Sequence, residues 1–169
     1  TADIGGAFIF EDDGPSISLA DVDVPSLRVD ETTLGADDST SFAGLFSVDS
    51  YGADGAGSVG GYALGTIGGD SGLVDTATGN SVFLFLEAGV VVGREGTDAT
   101  DAVSGEVVFN ISVNGSGVVE LDQVRAVVHG DITDHDEESS AITASLITLS
   151  ATVTDGDLDT DTATADIGG

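Results

Sequence analysis

An antiparallel β-sandwich is the fold class that this 169-residue sequence predicts, on three observations. Apolar residues recur at every second position in the clearest stretches, as side chains on a half-buried strand must. Turn signals interrupt those stretches at short intervals. Helical periodicity is nearly absent. About eight to ten short strands are expected, in one domain or at most two small ones.

Each element follows in order. Phe8-Ile9-Phe10 runs into Glu11-Asp12-Asp13-Gly14-Pro15, an apolar strand end meeting an acidic turn closed by Gly-Pro. Residues 1–13 therefore read as a linker and 14–169 as the sandwich. Ser16 to Leu19 is a short strand, and Asp21 and Asp23 flank a turn before Pro25. Leu27 to Glu31 alternates and ends in the acidic pair Asp30-Glu31. Residues 35–41 read as loop, and Phe42 to Val48 carries the next apolar cluster.

Tyr51 to Gly61 is glycine-rich and reads as a long loop, with a strand leaving it at Tyr62 to Ile67. Gly68 to Gly79 reads as turns, with room for one helical turn at Gly72 to Thr76. Ser81 to Leu86 is a continuous apolar run that fits a buried strand. Glu87-Ala88-Gly89 turns it back into Val90 to Arg94, a hairpin. Beyond the acidic loop Glu95 to Asp101, Val107, Phe109, Ile111 and Val113 alternate against Glu106, Val108, Asn110 and Ser112. Asn114-Gly115 is a hairpin signature, which Ser116-Gly117 can lengthen. Val118 to Leu121 returns, and Val124 to His129 reads as a further strand. Gly130 to Ser140 is a second acidic loop, Ala144 to Thr154 alternates, and Leu158 to Ile167 closes the chain.

Charge sets the functional bounds. The chain has 31 Asp plus Glu against 3 Lys plus Arg, a formal net charge of -28. Self-repulsion at that level opposes compaction, yet 40% of the residues are hydrophobic. A folded domain whose charge is neutralised from outside reconciles the two, and hard carboxylate oxygens suit Ca²⁺ or Mg²⁺. Nucleic acid is excluded as a partner for want of clustered cations, and an anionic membrane surface by the same sign. No run is long enough to span a bilayer, so no membrane insertion is expected, and no signal peptide opens the sequence. Cysteine is absent, which removes disulfides and thiolate sites.

The sharpest motif is Asp155-Gly156-Asp157-Leu158-Asp159-Thr160-Asp161. Extended, its four carboxylates line one face; curled, the first three match the 1, 3, 5 spacing of calcium-loop ligands. A row of like charges repels itself unless a cation sits among it. Candidate metal ligands are therefore Asp155, Asp157, Asp159 and Asp161, with the acidic triplet Glu11, Asp12 and Asp13 and the acidic pair Asp30 and Glu31. The opposing explanation is a set of solvated acidic turns.

Other motifs carry less. Gly55 to Gly60 has dinucleotide-type glycine spacing, but a strand rather than a helix follows it. Gly69-Asp70-Ser71-Gly72 resembles a serine-protease nucleophile segment, but both histidines, His129 and His135, come after it and no base is placed. No enzyme is expected. His129, His135 and the neighbouring Asp131, Asp134, Asp136, Glu137 and Glu138 could hold a metal, or form a solvated lid. Asn110-Ile-Ser and Asn114-Gly-Ser are sequons of low specificity. Arg28 and Arg94 are expected to pair with carboxylates, and Arg125 is a candidate anchor for a ligand carboxylate.

Thr1 to Gly6 reappears as Thr164 to Gly169, so the chain reads as one unit of a tandem array. Glu11 to Pro15, Val29-Asp-Glu31, Tyr51 to Gly55, Ser71 to Gly79, Arg125 to His129 and Thr152 to Asp157 occur together in this order. That combination resembles the long repeat module of giant RTX adhesins of Gram-negative bacteria, across nearly the whole chain. The RTX nonapeptide is absent, so the resemblance is to a module from the body of such a protein.

The resemblance implies calcium-dependent rigidity, type I secretion, an extracellular place on the bacterial surface, and a part in cell adhesion or biofilm formation. It implies neighbouring repeats as partners. It also implies an alternative role, calcium-dependent binding of a protein or peptide ligand through its C-terminal carboxylate, with Tyr51, Asp54, Arg125 and His129 as candidate ligand residues. An extender should concentrate calcium at Glu11 to Asp13 and Asp155 to Asp161; a binder should use its long loops.

Overall fold

The computed structural model describes residue 9, residues 11–130 and residues 140–168. The Thr1 to Gly6 copy, Phe8, Phe10, Gly169, and the loop carrying Asp131, Asp134, His135, Asp136, Glu137 and Glu138 lie outside the described residues. Eleven strands are described: β1 Ser16–Leu19, β2 Asp38–Ser41, β3 Phe46–Ser50, β4 Ser58–Thr66, β5 Gly69–Val74, β6 Ser81–Glu87, β7 Val90–Gly96, β8 Val107–Val113, β9 Val118–Gln123, β10 Ile147–Thr154 and β11 Thr160–Asp166. Short 3₁₀ turns at Glu31–Thr33, Ala43–Leu45 and Asp101–Ser104 are the helical elements among the described residues. Among these, no helix is long and apolar enough to cross a membrane.

The strands form antiparallel sheets that curl into a half-barrel sandwich, as the alternation predicts. The large sheet runs β2-β9-β8-β7-β6-β5, and β11-β10-β4 faces it. A β1-β3 ribbon lies along β11, where the Ile17 amide donates to Asp161 Oδ2 at 3.0 Å. Leu64, Ile147 and Leu149 from the small sheet meet Val82, Leu84, Val91, Phe109 and Val119 from the large one. A second apolar cluster joins Ile17, Ala151 and Val153 to Phe46, Tyr51, Val59 and Tyr62, with Phe46 and Tyr62 edge-on at 6.1 Å.

Strand β10 explains the architecture. Ile147, Leu149, Ala151 and Val153 are all buried, while Thr148, Ser150, Thr152 and Thr154 are half-buried between them. One period-two row thus serves both clusters. Its neighbour β4 absorbs the irregularity instead. Pairing runs from Ser150↔Ala63 to Thr152↔Gly60, which leaves an extra residue at Gly61 in the left-handed region (φ +59°). A bulge there lets Val59 and Tyr62, three apart, both point inward. The glycine stretch 58–61 is therefore strand, not the end of a loop.

The structure departs from sequence expectation in four further places. In β8, Gly93 pairs with Phe109 but Arg94 with Val107, so Val108 is an inserted residue. It is fully buried, and the expected inward Val107 is not. The Phe109 ring lies over Gly93, where a Cβ would overlap it. Val124 to His129 is not a strand: the amides of Val124 and Arg125 both donate to Val108 O, which ends the ladder, and a single bridge, Asp75↔Val127, follows. Gly68 to Gly79 holds strand β5 rather than a helical turn. Its glycines 68, 69 and 72 have positive φ, which disguises it as turns. Residues 38–41 also form a strand, polar and at the sheet edge. The hairpins behave as read: Ala88 (φ +50°) and Gly89 (φ +88°) close a two-residue turn, and Asn114 to Gly117 a four-residue one.

Candidate metal centre

The inward row of β10 does not stop at Val153. Asp155 occupies the next inward position and is only 4% exposed, so an apolar stripe ends in a buried carboxylate. The chain then turns sharply. Asp155 Oδ1 accepts from the Asp159 amide at 2.8 Å, and the Asp155 amide donates to Asp159 O at 3.1 Å. Leu158 takes the left-handed conformation (φ +83°) with its side chain 77% exposed, an unfavourable state for a branched residue. In an extended strand, residues 155 and 159 would stand about 13 Å apart. The turn instead places one carboxylate oxygen each of Asp155, Asp157 and Asp159 within 4.8 Å of one another.

Two other loops complete the cluster. Asp12, Asp54 and Asp157 form a second triad within the same limit, so Asp157 is common to both. Glycines permit the approach: a Cβ at Gly57 would overlap Thr154 O, one at Gly156 would overlap Asp54 O, and one at Gly52 would overlap Asp13 O. Substituting Gly57 by alanine is therefore expected to push residues 54–57 away from Asp155. By analogy with overpacking it should cost about 1–3 kcal/mol, read from urea unfolding. An unchanged urea midpoint would show that the approach is not tight.

The electrostatics are unresolved within the chain. Proton sharing with Asp155 is the largest influence raising the Asp157 carboxyl, followed by burial and by the charges of Asp155, Asp12 and Asp54. Asp159 is raised in the same way, first through Asp12. When all are ionised, the carboxylates have no proton to share, and among the described residues the donors that reach them are backbone amides, of Asp159 to Asp155 Oδ1 and of Asp13 to Asp12 Oδ1. Among the described residues Asp155 Oδ2 is buried with no hydrogen-bond partner, an arrangement that is costly unless something positive meets it. Five carboxylates with no thiolate or imidazole among them are oxygen donors of the kind that suits a hard divalent cation, Ca²⁺ or Mg²⁺.

The other candidate residues lie elsewhere. Glu11 and Asp13 are exposed beside the cluster but belong to neither triad. Asp161 is diverted: its carboxylate accepts from the Ile17 and Thr162 amides. Asp30 caps a 3₁₀ turn through the Thr32 amide, which holds its carboxyl below the usual range. Glu31 Oε1 accepts from Gln123 Nε2 (3.1 Å) and the Val127 amide (2.7 Å), with His129 Nε2 at 3.3 Å. Tyr51 packs in the second apolar cluster, whereas Asp54, singled out for a peptide ligand, joins the carboxylates.

Arg125 is engaged by a carboxylate of the chain itself. Its Nε and Nη2 donate to Asp75 Oδ1 and Oδ2, both at 2.9 Å, and Asp75 is fully buried. Burial pushes the Asp75 carboxyl up, but hydrogen bonds from Arg125 and Thr78 together outweigh it and leave it lowered. Nothing in the sequence around Asp75 signalled that role. Arg94 pairs with Glu87 through two bonds (2.8 and 3.1 Å), as expected. Ser71, in the protease-like tetrapeptide, is fully buried in β5.

Residues 26–168 match a protein family described as "Domain of unknown function (DUF5801)". The matched span contains Asp54, Asp155, Asp157 and Asp159 but not Asp12. No curated protein and no solved structure matches the chain.

Proposed function

The chain belongs to this family of unknown function, and within it we propose a calcium-binding β-sandwich module of a bacterial surface adhesin, made rigid by the cation. One observation carries the calcium reading: Asp155 Oδ2, buried and unpartnered, in a cluster of five carboxylates drawn from three loops. Solvated acidic turns would leave their oxygens in water. The adhesin setting rests on the sequence resemblance, as do secretion, surface location and contact with neighbouring repeats.

The residues would act as follows. Asp155, Asp157 and Asp159 would hold the cation from the end of β10, and Asp12 and Asp54 would close over it. A cation there neutralises the charges that crowd Asp157 and ties residues 11–14 and 51–57 to the sandwich. Extracellular modules bind calcium with dissociation constants of roughly 10⁻⁴–10⁻³ M, so occupancy would follow external calcium. The alternative role, capture of a peptide C-terminus, drew on Arg125; with two of its N–H groups bonded to Asp75, no observation favours it.

Thermal unfolding in calcium, in magnesium and in excess chelator tests the proposal. At calcium a hundredfold above the dissociation constant, one site adds about 2.7 kcal/mol, or roughly 5–10 °C in midpoint for a domain this size. Magnesium should add much less. A midpoint indifferent to chelator in calcium-loaded protein would sink the proposal.

A further inference from the structure

A second site lies between the sheets, away from the carboxylate cluster. A cavity of about 520 Å³ is lined by Phe42, Leu73, Phe109, Ile111, Val119 and Ile147, among others, with Glu31, Gln123, Arg125 and His129 on its wall. That volume falls among small-molecule pockets, which typically run about 300–1,000 Å³. Its position follows from β9. Val119, Leu121 and Gln123 point inward in a period-two row, so an amide ends the apolar stripe inside the half-barrel.

The polar end is built around one oxygen. Glu31 Oε1 accepts from Gln123 Nε2 at 3.1 Å and faces His129 Nε2 at 3.3 Å. A carboxylate requires donors, which fixes the Gln123 amide orientation with Nε2 towards Glu31. Gln123 Oε1, the other end of that amide, is then an acceptor, and among the described residues it is buried without a hydrogen-bond partner. Gln123 is only 7% exposed. An orphaned acceptor on a residue that lines an apolar cavity calls for a donor.

We propose that this cavity binds a small uncharged apolar molecule through a hydroxyl group that donates to Gln123 Oε1. An anionic head is disfavoured because Glu31 and Asp75 are nearby and Arg125 is already bonded to Asp75. An ammonium head finds Glu31 Oε1 already occupied by two hydrogen bonds and the His129 contact, and would lose its own hydration. A hydroxyl satisfies an acceptor at little desolvation cost.

Octan-1-ol, octanoate and octylammonium are the probes, titrated by calorimetry into the calcium-loaded protein while the methyl resonances of Ile111 and Ile147 are followed. Octan-1-ol should bind and shift both methyls, with each charged analogue weaker by about tenfold or more. Gln123→Leu should weaken octan-1-ol by about tenfold, and Ile111→Phe, which fills the cavity, should abolish binding in a protein still folded by circular dichroism. Absence of heat and of methyl shifts would mean that no ligand hydroxyl serves Gln123 Oε1, and the proposal falls. Equal binding of octanoate, or of octan-1-ol to both variants, would overturn it as well. Because the fold and the calcium response are read separately, failure here leaves the cation site untouched.

Discussion

Arg125→Leu is expected to cost about 3–5 kcal/mol of folding free energy, the usual penalty for stranding one partner of a buried ion pair. Asp75 is fully buried, and the two guanidinium bonds are what offset its desolvation. The loss should carry a pH signature. In the native protein the Asp75 carboxyl is lowered, so its contribution is present above the unfolded value and is lost as pH falls through the lower folded one. Without Arg125, only the hydrogen bonds from Thr78 oppose burial, and the carboxyl is expected to rise. The penalty is then full at neutral pH and is relieved as pH falls towards the unfolded value. Urea unfolding at pH 7 and near about pH 4 should therefore show the gap between variant and parent narrowing in acid. A gap that stays constant would mean that Asp75 is not left ionised and unpaired.

Asp157→Asn should reverse sign with calcium. Asp157 belongs to both carboxylate triads, so the variant should lose most of the calcium-dependent rise in midpoint. In chelator the same change removes one charge from a crowded group and should leave the midpoint equal to or above that of the parent. Asp161→Asn is the contrasting control. Its carboxylate joins β1 to β11 by accepting from backbone amides, so it should destabilise in both conditions and keep the calcium response. If Asp157→Asn destabilises equally with and without calcium, the residue is structural and not a ligand.

What the sequence disclosed follows from which interactions are local. The buried face of β10 was legible because Ile147, Leu149, Ala151 and Val153 alternate without interruption. Val124 to His129 has similar composition but no strand, because a ladder also needs a free partner edge, and the Val108 bulge takes both amides. β5 was hidden by glycines whose positive φ serves a bulged edge rather than a turn. At the site, the spacing of Asp155, Asp157 and Asp159 was visible. The exclusion of Asp161 was not, since a left-handed residue at Leu158 breaks the row and period two cannot announce that break. Asp12 and Asp54 join through three glycine-permitted backbone approaches, which are long-range facts. Arg125 drew notice because cations are scarce; its partner, one aspartate among many, did not.

The unbroken row on β10 also bears on which changes of length the chain can absorb. Inward placement of Asp155 depends on an even count from Ile147, with the bulge confined to the neighbouring strand at Gly61. Inserting or deleting a single residue between Ile147 and Val153 would turn part of the row outward, or swing the carboxylate to the opposite face. Either way, the core or the carboxylate cluster loses its parity. The same one-residue change in the Asn114–Gly117 turn alters only a loop. In this domain, β10 should accept substitutions of side-chain size far more readily than insertions or deletions.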